Sequence, residues 1–340
     1  MEVSMIGLDL AKQSFQVHGV GSDGSVLVRR RLRRAQVESY FAKLAPCVVA
    51  LEACATSHHW ARAIAACGHE VRLVPTRTVK AYVRRGKNDA LDAAAICEAA
   101  GRPGVRLVAA KDLEQQSVLM LHKSRDLLIR QRTMLINALR AHLAELGIVA
   151  PQGAKGVAQL LALVRGGHPD LPALAQQALL ALADQLESAR DQILALDRAI
   201  LAWHRSDALS QRLAAIPGVG PLNATALAVV LRQADHFSSA RAFAAALGLT
   251  PREDTTGGKV RLRSISKMGN GYLRRLLVLG ATSQLRRAGK STSQAAAWTR
   301  ALLARKPARV VTVALANKTA RIAWALIANQ RDYDPNYRAC

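Results

Sequence analysis

The sequence predicts an α/β domain at the N-terminus, a central helical coiled-coil segment and a mostly α-helical domain at the C-terminus. Three observations carry this. Strand and helix patterns alternate through the first hundred residues. An apolar heptad runs unbroken from Leu179 to Trp203. Beyond residue 200 helical patterns dominate, broken by Gly- and Pro-rich turns. The expected boundaries are 1–108, 109–206 and 207–332.

The N-terminal elements follow in order. Residues 5–10 form an apolar strand. "SFQVHGV" at 14–20 alternates, "GSDG" at 21–24 is turn chemistry, and "SVLVRRRL" at 25–32 returns, so a hairpin is expected. A helix is expected near 35–45. "CVVALEA" at 47–53 is a short apolar run suited to a strand buried on both faces. Residues 57–67 read as helix and 70–75 as strand. Residues 88–100 form a helix opened by Asn88, a favourable N-cap. The order βββαβαβα is that of a ribonuclease H-like fold.

Residues 111–147 read as one long helix ending at Gly147. Leu179, Leu182, Leu186, Ala189, Ile193, Leu196, Ile200 and Trp203 then step alternately by three and four. That spacing makes one seam, which winds against the 111–147 helix or against a second chain. "AAIPGVGPLNATALAVVL" at 214–231 reads as a helix-hairpin-helix. Its second helix would offer backbone N–H groups to phosphate without reading base sequence.

Charge narrows the class of partner. The chain has 340 residues and a net charge of +24, with 48 Lys and Arg against 24 Asp and Glu. Residues 1–110 carry +7, residues 111–200 carry +1 and residues 201–340 carry +16. A basic excess concentrated in this way predicts a polyanion partner, most simply nucleic acid. No window reaches about 18 uninterrupted apolar residues, and the N-terminus lacks a basic-then-apolar leader pattern. A cytoplasmic, nucleoid-associated protein without a membrane partner is expected. The five cysteines form no C-x-x-C pair and match no zinc spacing, so reduced core thiols are expected. His58 and His59, the one histidine pair, are expected on a helix surface.

Four carboxylates stand out. Asp9 interrupts an apolar strand, where an unpaired charge is unfavourable. In the βββαβαβα order the first and fourth strands are neighbours, which brings Asp9 near Glu52. Asp89 and Asp92, three apart, share a helix face. Carboxylates gathered this way repel and raise each other's pKa values. Divalent cations remove the conflict, and hard oxygen donors suit Mg2+ or Mn2+ in two-metal phosphodiester chemistry.

"GLDLAK", "LEACATSHHWARAI", "KNDALDA", "IPGVGPLNATAL" and "ALGLTPREDTTGGKVRLRSISKMGNGYLRRLL" span nearly the whole chain. Together they resemble the motifs of DEDD-type insertion-sequence transposases, the bridge-RNA-guided recombinases, in that family's order. The resemblance implies a RuvC-like N-terminal domain with Asp9, Glu52, Asp89 and Asp92 as the metal quartet. It also implies a coiled coil, a serine-recombinase-like C-terminal transposase domain and a structured guide RNA. The composite site it implies draws its halves from different protomers of a homo-oligomer, dimer or tetramer.

The chain departs from the family at the nucleophile. Where a serine precedes the Gly-Gly-Lys element, this sequence has Thr255 and Thr256. A threonine hydroxyl can attack phosphorus but is β-branched and more hindered. Ser264 and Ser266 lie nearby. Arg252, Lys259, Arg261, Arg263, Lys267, Arg274 and Arg275 flank the site and suit phosphate contact or developing negative charge. The expected activity is metal-dependent DNA strand cleavage and exchange. A water-using junction resolvase and a decayed nucleic-acid-binding protein are the alternatives.

Overall fold

The computed structural model describes residues 2–83 and 88–335. Lys87 of the "KNDALDA" motif and Cys340 lie outside the described residues. Contacts divide the chain into two compact units, with the division between Gln116 and Ser117.

The N-terminal unit begins with β1 (Met5–Leu10), β2 (Ser14–Val20) and β3 (Val26–Arg33). A 3-10 turn at Arg34–Gln36 leads into α1 (Val37–Phe41), shorter than the sequence pattern predicts. Then come β4 (Val48–Glu52), α2 (Ser57–Ala66), β5 (Glu70–Val74), α3 (Thr76–Lys80) and α4 (Asp89–Gly101). The short α3 is an addition to the expected order. The strands form one sheet in the order β3-β2-β1-β4-β5. β1 is antiparallel to β2 and parallel to β4, so the expected neighbourhood of the first and fourth strands is present.

Alternation along the strands splits the unit into two layers of core. Ile6, Leu8, Phe15, Val17, Val49 and Leu51 pack with Phe41, Trp60 and Ile64 beneath one face. The other face carries Ala50 and Val74 against Ala95, Ile96 and Ala99 of α4. The small residues there let helix and sheet approach closely. Gly7 is the extreme case: a Cβ at that position would lie 2.1 Å from the Ala93 carbonyl oxygen and 2.7 Å from the Cys97 nitrogen. Cys47 and Cys97 are buried, as expected of core thiols. Cys54 and Cys67 are half-exposed instead, because they sit where β4 and α2 run into loops.

The C-terminal unit is built mainly from helices: α5 (Leu113–Glu145), α6 (Ala154–Gly166), α7 (Ala173–Ser206), α8 (Ala208–Ala214), α9 (Pro221–Leu231) and α10 (Ala240–Ala246). A two-stranded hairpin follows, β6 (Pro251–Glu253) and β7 (Leu262–Ile265), in a stretch without strand periodicity. Then come α11 (Gly271–Arg287), α12 (Gln294–Leu303) and α13 (Ala308–Ala328). α13 is the one described helix long and apolar enough to cross a membrane. Its Val311, Leu315, Ala316, Ala320 and Ala323 belong to the core of this unit.

The heptad of α7 is answered within the chain along its first half. Leu179 and Leu186 join one cluster with Leu139 and Leu143 of α5 and Leu160 and Val164 of α6. Further along, Arg125 of α5 pairs with Asp197 of α7. His122 of α5 is wholly buried. Its Nδ1 lies 2.9 Å from the Tyr272 hydroxyl and its Nε2 lies 3.0 Å from Thr225 Oγ1. Burial, then the Arg125 charge, push its pKa down to about 4, so it is a neutral bridge between α5, α9 and α11.

Candidate active site

The acidic site begins with strand register. β1 and β4 pair in parallel up to Leu8 opposite Leu51. One step further sets Asp9 beside Glu52, the last residue of β4. Leu8 and Leu51 face the α1/α2 core, so Asp9 and Glu52 project from the opposite face, the one covered by α4. Gly7, on that same face, lets α4 lie directly on β1. The helix starts at this edge because Asn88 caps it, its side chain accepting the Ala90 N–H at 3.0 Å. Asp89 and Asp92 therefore stand in the first turn of α4, where the helix dipole favours negative charge.

The electrostatics register the other three carboxylates at Asp9. The Asp9 pKa is raised from 3.8 to about 6, first by burial, then by the charges of Asp92, Asp89 and Glu52. The Leu10 backbone N–H acts in the other direction. Asp9 and Asp92 are half-buried and Asp89 is exposed. Among the described residues no three acidic, His or Cys side chains are drawn tightly around a single point. The donor set itself fits a hard divalent cation: every group is a carboxylate, and half-buried Asp9 carries an unfavourable charge that a cation would relieve.

The hydroxyl site is of another kind. Thr255 and Thr256 sit at the tip of the β6–β7 hairpin, where every residue from Pro251 to Ser264 is exposed. Gly257 and Gly258 have φ of 56° and 75°, and the Lys259 N–H closes the turn on the Thr256 carbonyl at 3.1 Å. The two threonines differ in their contacts. Thr255 Oγ1 donates to Glu253 Oε1 at 2.7 Å. Glu253 is a residue the sequence reading missed. The signal was a carboxylate two residues before a hydroxyl, which on a strand is a same-face neighbour. Ser264 is exposed on β7, and Ser266 Oγ accepts the Met268 N–H at 3.4 Å.

The basic residues divide by what they touch. Arg263 pairs with Asp254 across the hairpin. Arg274 Nη1 donates to the carbonyls of Leu247 at 2.9 Å and Met268 at 3.2 Å, fixing the base of the hairpin. Arg275 pairs with Asp126 and lies 5.3 Å from the Tyr272 ring centre. Lys259, Arg261 and Lys267 have no carboxylate partner among the described residues. Lys267 has φ of 54°, left-handed backbone for a residue with a side chain.

The Gly-rich turn between α8 and α9 is anchored to the core by two of its side chains. Ile216 and Val219 are buried, and Gly218 packs so closely on Gly280 of α11 that a Cβ on Gly280 would sit 2.0 Å from the Gly218 carbonyl oxygen. His58 Nδ1 lies 3.3 Å from the Lys111 N–H and its Nε2 lies 2.9 Å from Lys111 Nζ, which gives the histidine pair a structural contact.

An α/β unit in which Asp9 senses Glu52, Asp89 and Asp92, followed by a mainly helical unit, fits the class of DEDD-type transposases, and comparison with known proteins shows that membership. Residues 6–148 match a DEDD transposase family, and residues 210–297 match "Transposase IS116/IS110/IS902 family". A probable family 20 transposase of Pseudomonas aeruginosa is 48% identical over 98% of this chain and 100% of its own length. The transposase for insertion sequence element IS1328 of Yersinia enterocolitica is 40% identical over 95% of this chain and 96% of its own. The transposase for IS1111A of Coxiella burnetii is 37% identical over 98% and 92%. The chain belongs to the IS110/IS116 family of insertion-sequence transposases.

Proposed function

We propose that this transposase cleaves and rejoins DNA through two chemical devices, the carboxylate cleft and the Thr255 hydroxyl. The observation that carries the reading is the convergence of Asp9, Glu52, Asp89 and Asp92, registered in the raised Asp9 pKa. These four residues would hold Mg2+ or Mn2+. A bound ion would polarise the phosphodiester and balance charge on the leaving oxygen.

Thr255 is favoured over Thr256 because a carboxylate already accepts its proton's hydrogen bond. Thr255 Oγ attacks phosphorus, its proton passes to Glu253, and the bond from phosphorus to the leaving oxygen breaks. Lys259, Arg261 and Lys267 would meet the negative charge that develops on the phosphoryl oxygens. The basic excess of the C-terminal region suits a polyanion, and a structured guide RNA and a dimer or tetramer complete the proposal.

The test is denaturing electrophoresis of protein mixed with labelled element-end DNA and the element's flanking transcript in Mg2+. A covalent protein–DNA band is expected. Thr255→Ala should remove it and leave DNA binding intact, Glu253→Gln should slow its formation, and Thr255→Ser should speed it. Cleavage without any covalent band would make water the nucleophile. A band that persists at full rate in Thr255→Ala would pass the role to Thr256, Ser264 or Ser266.

A further inference from the structure

The N-terminal unit carries a basic surface of its own. β3 is the edge strand of the sheet and reads "VLVRRRLR", with Arg34 immediately after it. Arg29, Arg30, Arg31, Arg33 and Arg34 are all exposed. Strand alternation sorts them by face. Arg29 pairs with His18, Arg31 with Gln16 and Arg33 with Ser14 across to β2. Gln16 pairs in turn with Asp9 across to β1. Paired residues on neighbouring strands project from the same side of a sheet. Arg29, Arg31 and Arg33 therefore share the face of Asp9. Two strand spacings of about 4.8 Å each set the Arg31 backbone roughly 10 Å from that of Asp9.

The side-chain contacts agree with this sorting. Arg31 Nη2 donates to Ser14 Oγ at 3.1 Å. Burial, then the Arg29 charge, hold His18 below its usual pKa, in keeping with their cross-strand pairing. On the opposite face Arg30 lies 5.7 Å from the Tyr40 ring centre, and Arg34, just past the strand, lies 5.0 Å from that of Trp60. Beside the row runs a groove of about 850 Å³ lined by Gln13, Ser14, Arg31, Arg33, Arg34 and Gln36 among others.

The row is uncompensated. Arg72 and Arg102 of the same unit pair with Glu70 and Glu98, but among the described residues none of Arg29, Arg31 and Arg33 has a carboxylate partner. Like charges on alternate positions of one strand repel. Charge on an edge strand does discourage sheet extension. Edge protection, however, does not require the charges to line the face that carries Asp9.

We propose that Arg29, Arg31 and Arg33 form a phosphate-binding row that holds the DNA strand to be cut as it approaches Asp9. This rests on the reading of the carboxylate cleft as the cleavage site. Residues two apart on a strand are about 6.7 Å apart, a spacing that lets each guanidinium take its own phosphate. The planar fork of arginine binds phosphate oxygens in pairs, which a lysine cannot do.

The test is a salt titration of full-length protein on labelled element-end duplex without divalent metal, read by fluorescence anisotropy. R29Q/R31Q/R33Q should lower the log–log salt slope by up to about 2.7 and weaken binding about ten-fold or more at 0.15 M salt. R30Q, on the other face beside Tyr40, should leave the slope nearly unchanged. R29K/R31K/R33K should keep the slope and lose only part of the affinity. An unchanged slope in the glutamine triple would reduce the row to edge protection and overturn the proposal. A loss in R30Q equal, per arginine removed, to that in the triple variant would overturn it too, since the face would then not matter. The same titration on duplex RNA separates the partners: a loss confined to RNA overturns the assignment to DNA. Asp9→Asn should abolish cleavage and keep the wild-type slope. If wild-type protein does not cleave, the reading of the cleft fails, while the salt slopes still decide the row.

Discussion

The carboxylate cleft and the threonine hairpin solve opposite structural problems. Asp9 is half-buried in a five-stranded sheet, with α4 pressed on its strand through Gly7 and its charge opposed by three neighbours. Thr255 is exposed on a two-stranded ribbon, with one side-chain hydrogen bond to Glu253. The first site stores unfavourable electrostatics in a rigid frame. The second stores nothing, and a two-stranded hairpin alone is marginal in water. The difference suits the roles proposed for the two sites. Carboxylates that take a cation must be held together against their repulsion before it arrives. A hydroxyl that attacks phosphorus needs a backbone able to come close to its substrate, and a Gly-Gly tip provides that.

The comparison breaks most visibly at the glycines. Gly7→Ala should be severe. Its Cβ would meet the backbone of α4, not a movable side chain, so α4 must lift off β1. A loss of about 1–3 kcal/mol is expected, read as a lowered Tm of the purified protein, with cleavage lost as Asp89 and Asp92 move away from Asp9. Gly258→Ala meets nothing within 4 Å and suffers only its φ of 75°. It should move Tm little and slow covalent-adduct formation. Similar Tm losses in the two variants would show that cleft and hairpin are equally built into the fold.

Acid separates the two units next. Asp9 has a folded pKa of about 6 against 3.8. The folded state thus holds its proton more tightly than the unfolded chain. Its contribution is present at low pH and is lost as pH rises from 3.8 through about 6. Asp9→Asn should therefore stabilise metal-free protein at pH 7.5 and have little effect at pH 4. Added Mg2+ should raise the wild-type Tm at pH 7.5, less at pH 5, and less again in Asp9→Asn. His122 runs the other way. Its folded pKa of about 4 lies below 6.5, so its contribution is present above pH 6.5 and is lost as pH falls toward 4. Hydrogen exchange corrected for intrinsic rates should show the C-terminal unit opening more readily between pH 6.5 and 4.5. Peptides around Asp9 should not follow. His122→Gln should flatten the C-terminal response.

Much of the first site was legible because its signals are local and periodic. An aspartate in an apolar run, a strand ending in Glu52 and an Asn-capped helix with Asp89 and Asp92 are each visible in a few residues. The chain order says which strands are neighbours. Gly7 was not legible as a contact, since its importance lies in the backbone of a helix some ninety positions later. The β6–β7 hairpin was missed because strand patterning needs a buried face, and this ribbon has none. Glu253 went unnoticed with it. The arginines of β3 were visible as a charge run, yet only the register across two strands relates them to Asp9.

The smallest effect on folding, and the sharpest on assembly, is expected on α5. The α7 heptad is the obvious seam in the sequence, but Leu179, Leu186 and Ile193 are already buried within the chain. Charging Ile193 tests folding before it tests association. α5 instead exposes Met120 at 62%, Leu127 at 49% and Met134 at 69%. These fall seven residues apart, one position per heptad on one helix face. Large apolar side chains repeated in this way are unlike singly scattered surface residues. Leu127→Glu with Met134→Glu should leave the unfolding free energy within about 0.5 kcal/mol of wild type, as surface substitutions do. The same variant should shift sedimentation to a smaller species. A wild-type sedimentation profile in that variant would place self-association elsewhere on the chain. A large fall in Tm would show that α5, like α7, is already closed within its own unit.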